Sequence, residues 1–139
     1  MENKFTMTVQ AKLQNEAFIR SAVANFVLPL NPTVAEINDI KTAVSEAVTN
    51  SIVHGYLNKG GDLFIECFYN ENIYTIIIKD NGVGISDIKK AMEPFYTTKK
   101  EQERSGMGFT VMEAFMDSIE VNHNVNGGLI VKLTKTIVG

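Results

Sequence analysis

Apolar and polar residues alternate strictly along residues 5–13, FTMTVQAKL. Phe5, Met7, Val9, Ala11 and Leu13 fall on one face, and Thr6, Thr8, Gln10 and Lys12 on the other. That period of two predicts a half-buried strand. The period then lengthens. In NEAFIRSAVANFV the apolar residues Phe18, Ile19, Ala22, Val23, Phe26 and Val27 recur at the spacing of an amphipathic helix. Pro29 and Pro32 end it. A second helix is predicted from Thr33, where T-V-A-E sets Glu36 three residues after a capping threonine. It runs to about His54, with Gly55 as its C-terminal stop. DLFIECFY and IYTIIIK read as two strands of a hairpin turning through Asn70, Glu71 and Asn72. After DNGVGI come a short helical piece, SDIKKAM, and a polar, weakly periodic stretch, EPFYTTKKEQERSG. A third substantial helix is predicted over residues 107–117. SIEVNHNV and LIVKLTKTIV close the chain as a hairpin about Asn126-Gly127-Gly128.

The order β-α-α-β-β-α-β-β predicts an α+β fold: a two-layer sandwich whose mixed, mostly antiparallel sheet is covered on one face by helices. At 139 residues, with no repeat or linker, the chain is expected to be one unit. Apolar residues at 45% supply a core. A net charge of −3 leaves no basic footprint for nucleic acid. The N-terminus lacks the basic and apolar segments of a signal peptide, and no apolar run approaches the roughly 20 residues of a membrane span. A soluble, cytoplasmic protein is expected. Cys67, the one cysteine, has no internal disulfide partner and reads as a small core residue.

Three stretches could carry chemistry. In EAVTNSIVHGY, Glu46, Asn50 and His54 stand at i, i+4 and i+8, on one helical stripe. Asn and His are mediocre helix formers that a plain solvated face does not need. In DNGVGI, Asp80 ends a strand, placed to accept a hydrogen bond from a ligand amine. Gly82 and Gly84 let the main chain turn and approach a flat ring; an ordinary Asx turn reads the same way. In RSGMGF, residues 104–109, two glycines open a helix whose N-terminus suits a phosphate; Ser105 could also be a plain N-cap. The usual phosphate loop G-x-x-x-x-G-K-[ST] is absent, as is G-x-G-x-x-G after the first strand.

E-x-x-x-N-x-x-x-H, then D-x-G-x-G after a strand, then G-x-G at a helix start, resembles the GHKL ATP-binding family of gyrase, Hsp90, MutL and the histidine kinases. The match covers about residues 40 to 115. Within that family, EAVTNSIVHGY, DNGVGI and PFYTTKKEQERSGMGF resemble the anti-sigma factor serine kinases of endospore-forming bacteria. The resemblance implies ATP and ADP as ligands and Mg²⁺ as cofactor. Asn50 would coordinate the Mg²⁺, and Asp80 would meet the adenine amino group beside Gly82 and Gly84. Residues 86 to 105 would form a lid, with Thr97, Thr98, Lys99 and Arg104 on the phosphates and Arg104 the better clamp. Ser105, Gly106, Met107 and Gly108 would complete the phosphate site.

By the same resemblance Glu46 would be the general base, or at least the orienting acceptor, for an attacking hydroxyl. His54 would either support the site or merely terminate its helix. The implied partners are the sporulation sigma factor F, held away from RNA polymerase, and an anti-anti-sigma factor phosphorylated on serine. Neither nucleic acid nor a membrane is implied as a partner. A homodimer is implied, and the alternating strand at residues 5–13 offers an edge for it. Asn15, Glu16 and Arg20 are a candidate partner surface or, equally, a solvated ion pair. Two other readings share the motifs: a nucleotide-gated binding module without transfer, and an ATP-hydrolysing switch.

Overall fold

A computed structural model describes residues 1–92 and 108–139. The first strand, β1 (Glu2–Gln10), starts earlier than the alternation alone indicates and stops sooner. Its full length is set by antiparallel pairing with β2 (Asp62–Asn70), from Glu2 opposite Asn70 to Gln10 opposite Asp62. Ala11 is buried beyond the strand, whereas Leu13 turns out to solvent in a 3₁₀ turn, Leu13–Asn15. Helix α1 (Glu16–Asn25) follows and buries Ile19, Val23 and Ala24. Phe18, expected on the inner face, is 60% exposed because it lies one residue off that stripe.

Helix α2 (Val34–Asn50) opens with the expected capping box. Thr33 Oγ1 accepts from the Glu36 N–H at 3.0 Å, and the Glu36 carboxylate accepts from the Thr33 N–H at 2.9 Å. Its C-terminal end departs from expectation. The α-helical ladder stops at Asn50, and residues Ser51–Gly55 form a π turn, closed by the Tyr56 N–H on the Ser51 carbonyl at 2.8 Å. Strand β3 (Ile73–Lys79) pairs back on β2 through a turn at Glu71 and Asn72. A short helix α3 (Ile88–Ala91), helix α4 (Gly108–Phe115) and strands β4 (Ser118–His123) and β5 (Leu129–Thr136) complete the described chain.

The five strands lie in the order β1-β2-β3-β5-β4, with β1 at one edge. All four pairings are antiparallel, so the expected parallel admixture is not seen among the described residues. The register puts one apolar face together. Val9 sits opposite Leu63, Ile65 opposite Ile78, Cys67 opposite Ile76, Ile76 opposite Leu133, and Val131 opposite Val121. Ile40, Val44, Val48, Phe109 and Met112 from α2 and α4 cover that face, and each such side chain taken from water stabilises by roughly 1.5–3 kcal/mol. Tyr74 donates its hydroxyl to the Val23 carbonyl at 2.6 Å, tying sheet to α1. Lys135 crosses the same layer, its Nζ donating to the Phe115 carbonyl at 2.9 Å beside Asp39. No helix among the described residues is long and apolar enough to cross a membrane.

The Glu36 carboxylate also accepts from the N–H groups of Val138 at 2.6 Å and Gly139 at 3.1 Å. Partial burial works to raise its pKa. The bonds from Thr33, Val138 and Gly139 outweigh that and hold it below its ordinary 4.5. The stability it supplies is therefore present above pH 4.5 and lost as pH falls through the lower folded value. Glu36→Gln is expected to cost about 1 kcal/mol at neutral pH. It should also flatten the acid limb of a urea-unfolding series taken below pH 4.5.

Candidate functional site

Asp80 follows the last residue of β3 and is 1% exposed. A buried carboxylate is costly unless its oxygens are hydrogen-bonded, and here three groups of the chain supply the bonds. The Gly82 N–H reaches Oδ1 at 3.0 Å and the Leu129 N–H reaches it at 3.3 Å. The Ser51 hydroxyl donates to Oδ2 at 2.7 Å. The backbone is joined as well: the Asp80 N–H donates to the Leu129 carbonyl at 3.0 Å. One acid thus connects the π turn, the DNGVGI loop and β5.

Glycine is required where these pieces touch. A Cβ on Gly82 would run into the carbonyl of Gly55, which accepts from the Val83 N–H at 2.9 Å. A Cβ on Gly128 would strike the main chain of Asp80, and Gly128 also holds φ +90°. Gly84, at φ +73°, lies over Gly128. So the glycine at 82 is explained by close packing of main chain on main chain. Gly84 meets a left-handed turn.

Two further side chains fix the loop. The Tyr56 hydroxyl accepts from the Asn81 N–H at 2.7 Å and donates to the Asp62 carbonyl at 2.6 Å. Burial pushes its phenol above the ordinary 10.0, so it stays a neutral donor. The Asn124 amide donates to the Asp80 carbonyl and to Asn81 Oδ1, both at 2.9 Å. Ser51, Tyr56, Asn124 and Gly128 were not singled out from the sequence. Gly128 lay in a recognised turn and Tyr56 in a quoted motif. The contacts of Ser51 and Asn124 span 29 and 44 residues, and no local pattern reports them.

Glu46 and Asn50 are half-buried on the last turns of α2. The Glu46 carboxylate faces the start of α4, where a Cβ on Gly108 would stand 3.6 Å from Oε2. His54 is half-buried inside the π turn, whose wider winding breaks the even i, i+4, i+8 stripe. Asn15 donates its side-chain amide to the Gln10 carbonyl at 2.9 Å. Arg20 pairs with Glu16 at 3.6 Å. Arg20 also lines a groove of about 390 Å³ with Ser21, Asn38, Lys41, Ser45 and Glu46. Of the predicted lid, residues 86–92 are described, and Ala91 packs into the core. Thr97, Thr98, Lys99, Arg104, Ser105, Gly106 and Met107 lie outside the described residues.

Residues 9–135 match the family model of the histidine kinase-like ATPase domain. The anti-sigma F factor of Clostridium beijerinckii is 55% identical over 135 residues, covering 96% of this chain and 94% of the relative. That of a Thermoanaerobacter species is 53% identical, covering 97% and 94%. The chain belongs to the anti-sigma F factor family. A crystal structure of the RsbU and RsbW domains of a Mycobacterium tuberculosis protein superposes with a TM-score of 0.70. It shares 18% identity and matches 97% of this chain against 32% of that longer one, so it shows the fold alone.

The glycine contacts in this member of the anti-sigma F factor family give an internal comparison. Gly60 also has a left-handed φ, +88°, but nothing lies within 4 Å of its missing Cβ. Gly60→Ala is expected to cost about 1–2 kcal/mol, the left-handed term alone. Gly128→Ala adds the collision with Asp80 and should cost about 2 kcal/mol more. Paired urea-unfolding curves check the difference.

Proposed function

We propose that this chain is an ATP-binding unit over residues 1–139 that sequesters the sporulation sigma factor F. In the same reading it is a serine kinase that phosphorylates, and so inactivates, an anti-anti-sigma partner. The observation that carries the reading is the Glu46 carboxylate facing Gly108 at the start of α4, one helical turn before Asn50. A helix N-terminus attracts phosphate, and a carboxylate beside it is placed for the group that attacks phosphorus. The names of the relatives, anti-sigma F factors, support the regulatory half.

In this reading Asp80 accepts from the adenine amino group, and Gly82 and Gly84 keep the loop beside it narrow. Gly106 and Gly108 offer N–H groups to the phosphates, with Ser105 and Met107 between and beside them. Thr97, Thr98, Lys99 and Arg104 close over them. Mg²⁺, when bound, neutralises phosphate charge. Asn50 would hold it through the amide oxygen. Among the described residues no three His, Cys, Asp or Glu side chains cluster as metal ligands. Mg²⁺ commonly keeps to one or two protein oxygens, phosphates and water. The partner's serine oxygen forms a bond to the γ-phosphorus as the bond to ADP breaks. Glu46 takes the serine proton, and Arg104 steadies the charge. The groove from Arg20 to Glu46 supports docking of a partner along α1 beside Asn15 and Glu16. The protein would work in the cytoplasm as a homodimer, and the free edge of β1 could pair with its copy. A light-scattering mass equal to the monomer with ATP present would sink the dimer.

The test is a single-turnover reaction with γ-labelled ATP and Mg²⁺, with and without the anti-anti-sigma protein. Label is expected on a serine of that protein. Glu46→Gln should slow transfer about 10²-fold or more while ATP still binds. Label released only as free phosphate would support an ATPase switch. Tight binding without turnover would support a nucleotide-gated binding module.

A further inference from the structure

A carboxylate offers about four acceptor directions. Among the described residues three are filled on Asp80: two on Oδ1, from Gly82 and Leu129, and one on Oδ2, from Ser51. The direction that the described residues leave over lies on Oδ2. That oxygen is bordered by the two ends of the π turn. Ser51 donates to it at 2.7 Å, and a Cβ on Gly55 would stand 3.2 Å from it. Gly55 therefore keeps side chain away from the oxygen that Ser51 holds. Ser51 is 5% exposed, so its hydroxyl has no easy exchange with water.

An aspartate's own torsion does not fix the plane of its carboxylate, because that torsion is broad and roughly two-fold. The plane is set by what the two oxygens bond. Oδ1 is set by two backbone N–H groups. Oδ2 is set by one side chain, delivered by a π turn, a rare element that gathers at functional sites.

We propose that Ser51 is a specificity-determining positioning residue. Its hydroxyl holds Asp80 so that the one open acceptor direction on Oδ2 meets the exocyclic amino group of the base. The inference rests on the reading of Asp80 as the adenine contact, and it assigns base selectivity to an unspecified position of the E-x-x-x-N-x-x-x-H motif. The Ser51 hydroxyl is bonded to Asp80, so its loss acts on base recognition through that acid. A serine that merely satisfied a buried acid would behave differently. Its loss would weaken the fold and lower affinity for every nucleotide alike.

The experiment compares ATP with purine riboside 5′-triphosphate, which has the same ring system, ribose and triphosphate but no 6-amino group. Affinities of both are measured calorimetrically with Mg²⁺ for the wild-type chain and Ser51→Ala, after thermal melts establish that each is folded. Ser51→Ala should weaken ATP binding about tenfold and leave the amino-less analogue within about twofold, so the ratio of the two collapses. If Ser51→Ala does not fold, Ser51→Cys keeps the volume with a weaker donor and is read by the same ratio. Equal loss for both nucleotides, or loss for neither, overturns the proposal and leaves Ser51 a structural residue. A wild-type chain that binds both equally, or neither, overturns the adenine reading of Asp80 itself, and the proposal with it.

Discussion

The hydrogen bonding of one buried acid organises this molecule's central junction. Asp80 sits where β3 ends, and its oxygens cannot be left unpaired away from water without a cost of about 1–3 kcal/mol or more. Meeting that demand pulls three separate pieces of chain into contact: the end of α2, the loop after β3 and the start of β5. The approach is so close that glycine is imposed at 82 and 128, and a Cβ at 55 would crowd the Asp80 carboxylate. The aspartate and the glycines are thus consequences of one constraint. Tyr56 and Asn124 hold the same junction from its two sides.

Helix α2 and the π turn that follows it meet two different parts of the molecule. Up to Asn50 the α-helical ladder carries Glu46 towards the start of α4, the end to which the proposed function assigns the phosphates. At the start of the π turn Ser51 reaches Asp80, the end to which the proposed function assigns the base. Asn50 and Ser51 both keep α-helical dihedrals, so their ordinary 100° separation turns the two adjacent side chains different ways. The extra backbone residue is accommodated where α2 meets the Asp80 loop.

Much of this was legible in the sequence, for physical reasons. Apolar runs within 62–70, 73–79 and 129–136 indicated strands, and in the fold each buries a face of the sheet against helices. The capping box at Thr33 and Glu36 is a local interaction, so local sequence reports it. The order of the Glu46, Asp80 and Gly108 motifs gave the family. The π turn was hidden, since the apolar spacing of Val48, Ile52 and Val53 looks the same whether the ladder is i+4 or i+5. Ser51 was hidden too, because nothing near residue 51 reveals an acid 29 positions away. Phe18 misled because its hydrophobicity fits a stripe that the packing of α1 does not use.

Cys67 carries a practical consequence. It is the sole cysteine of the chain, fully buried on the helix-covered face of β2, and burial pushes its thiol up to about 12. At neutral pH almost none of it is thiolate, the form that attacks. Toward alkylating reagents the folded protein therefore behaves as though it contained no cysteine. A cysteine introduced on the surface would be its one reactive thiol, open to a single spectroscopic label with no change to the native core.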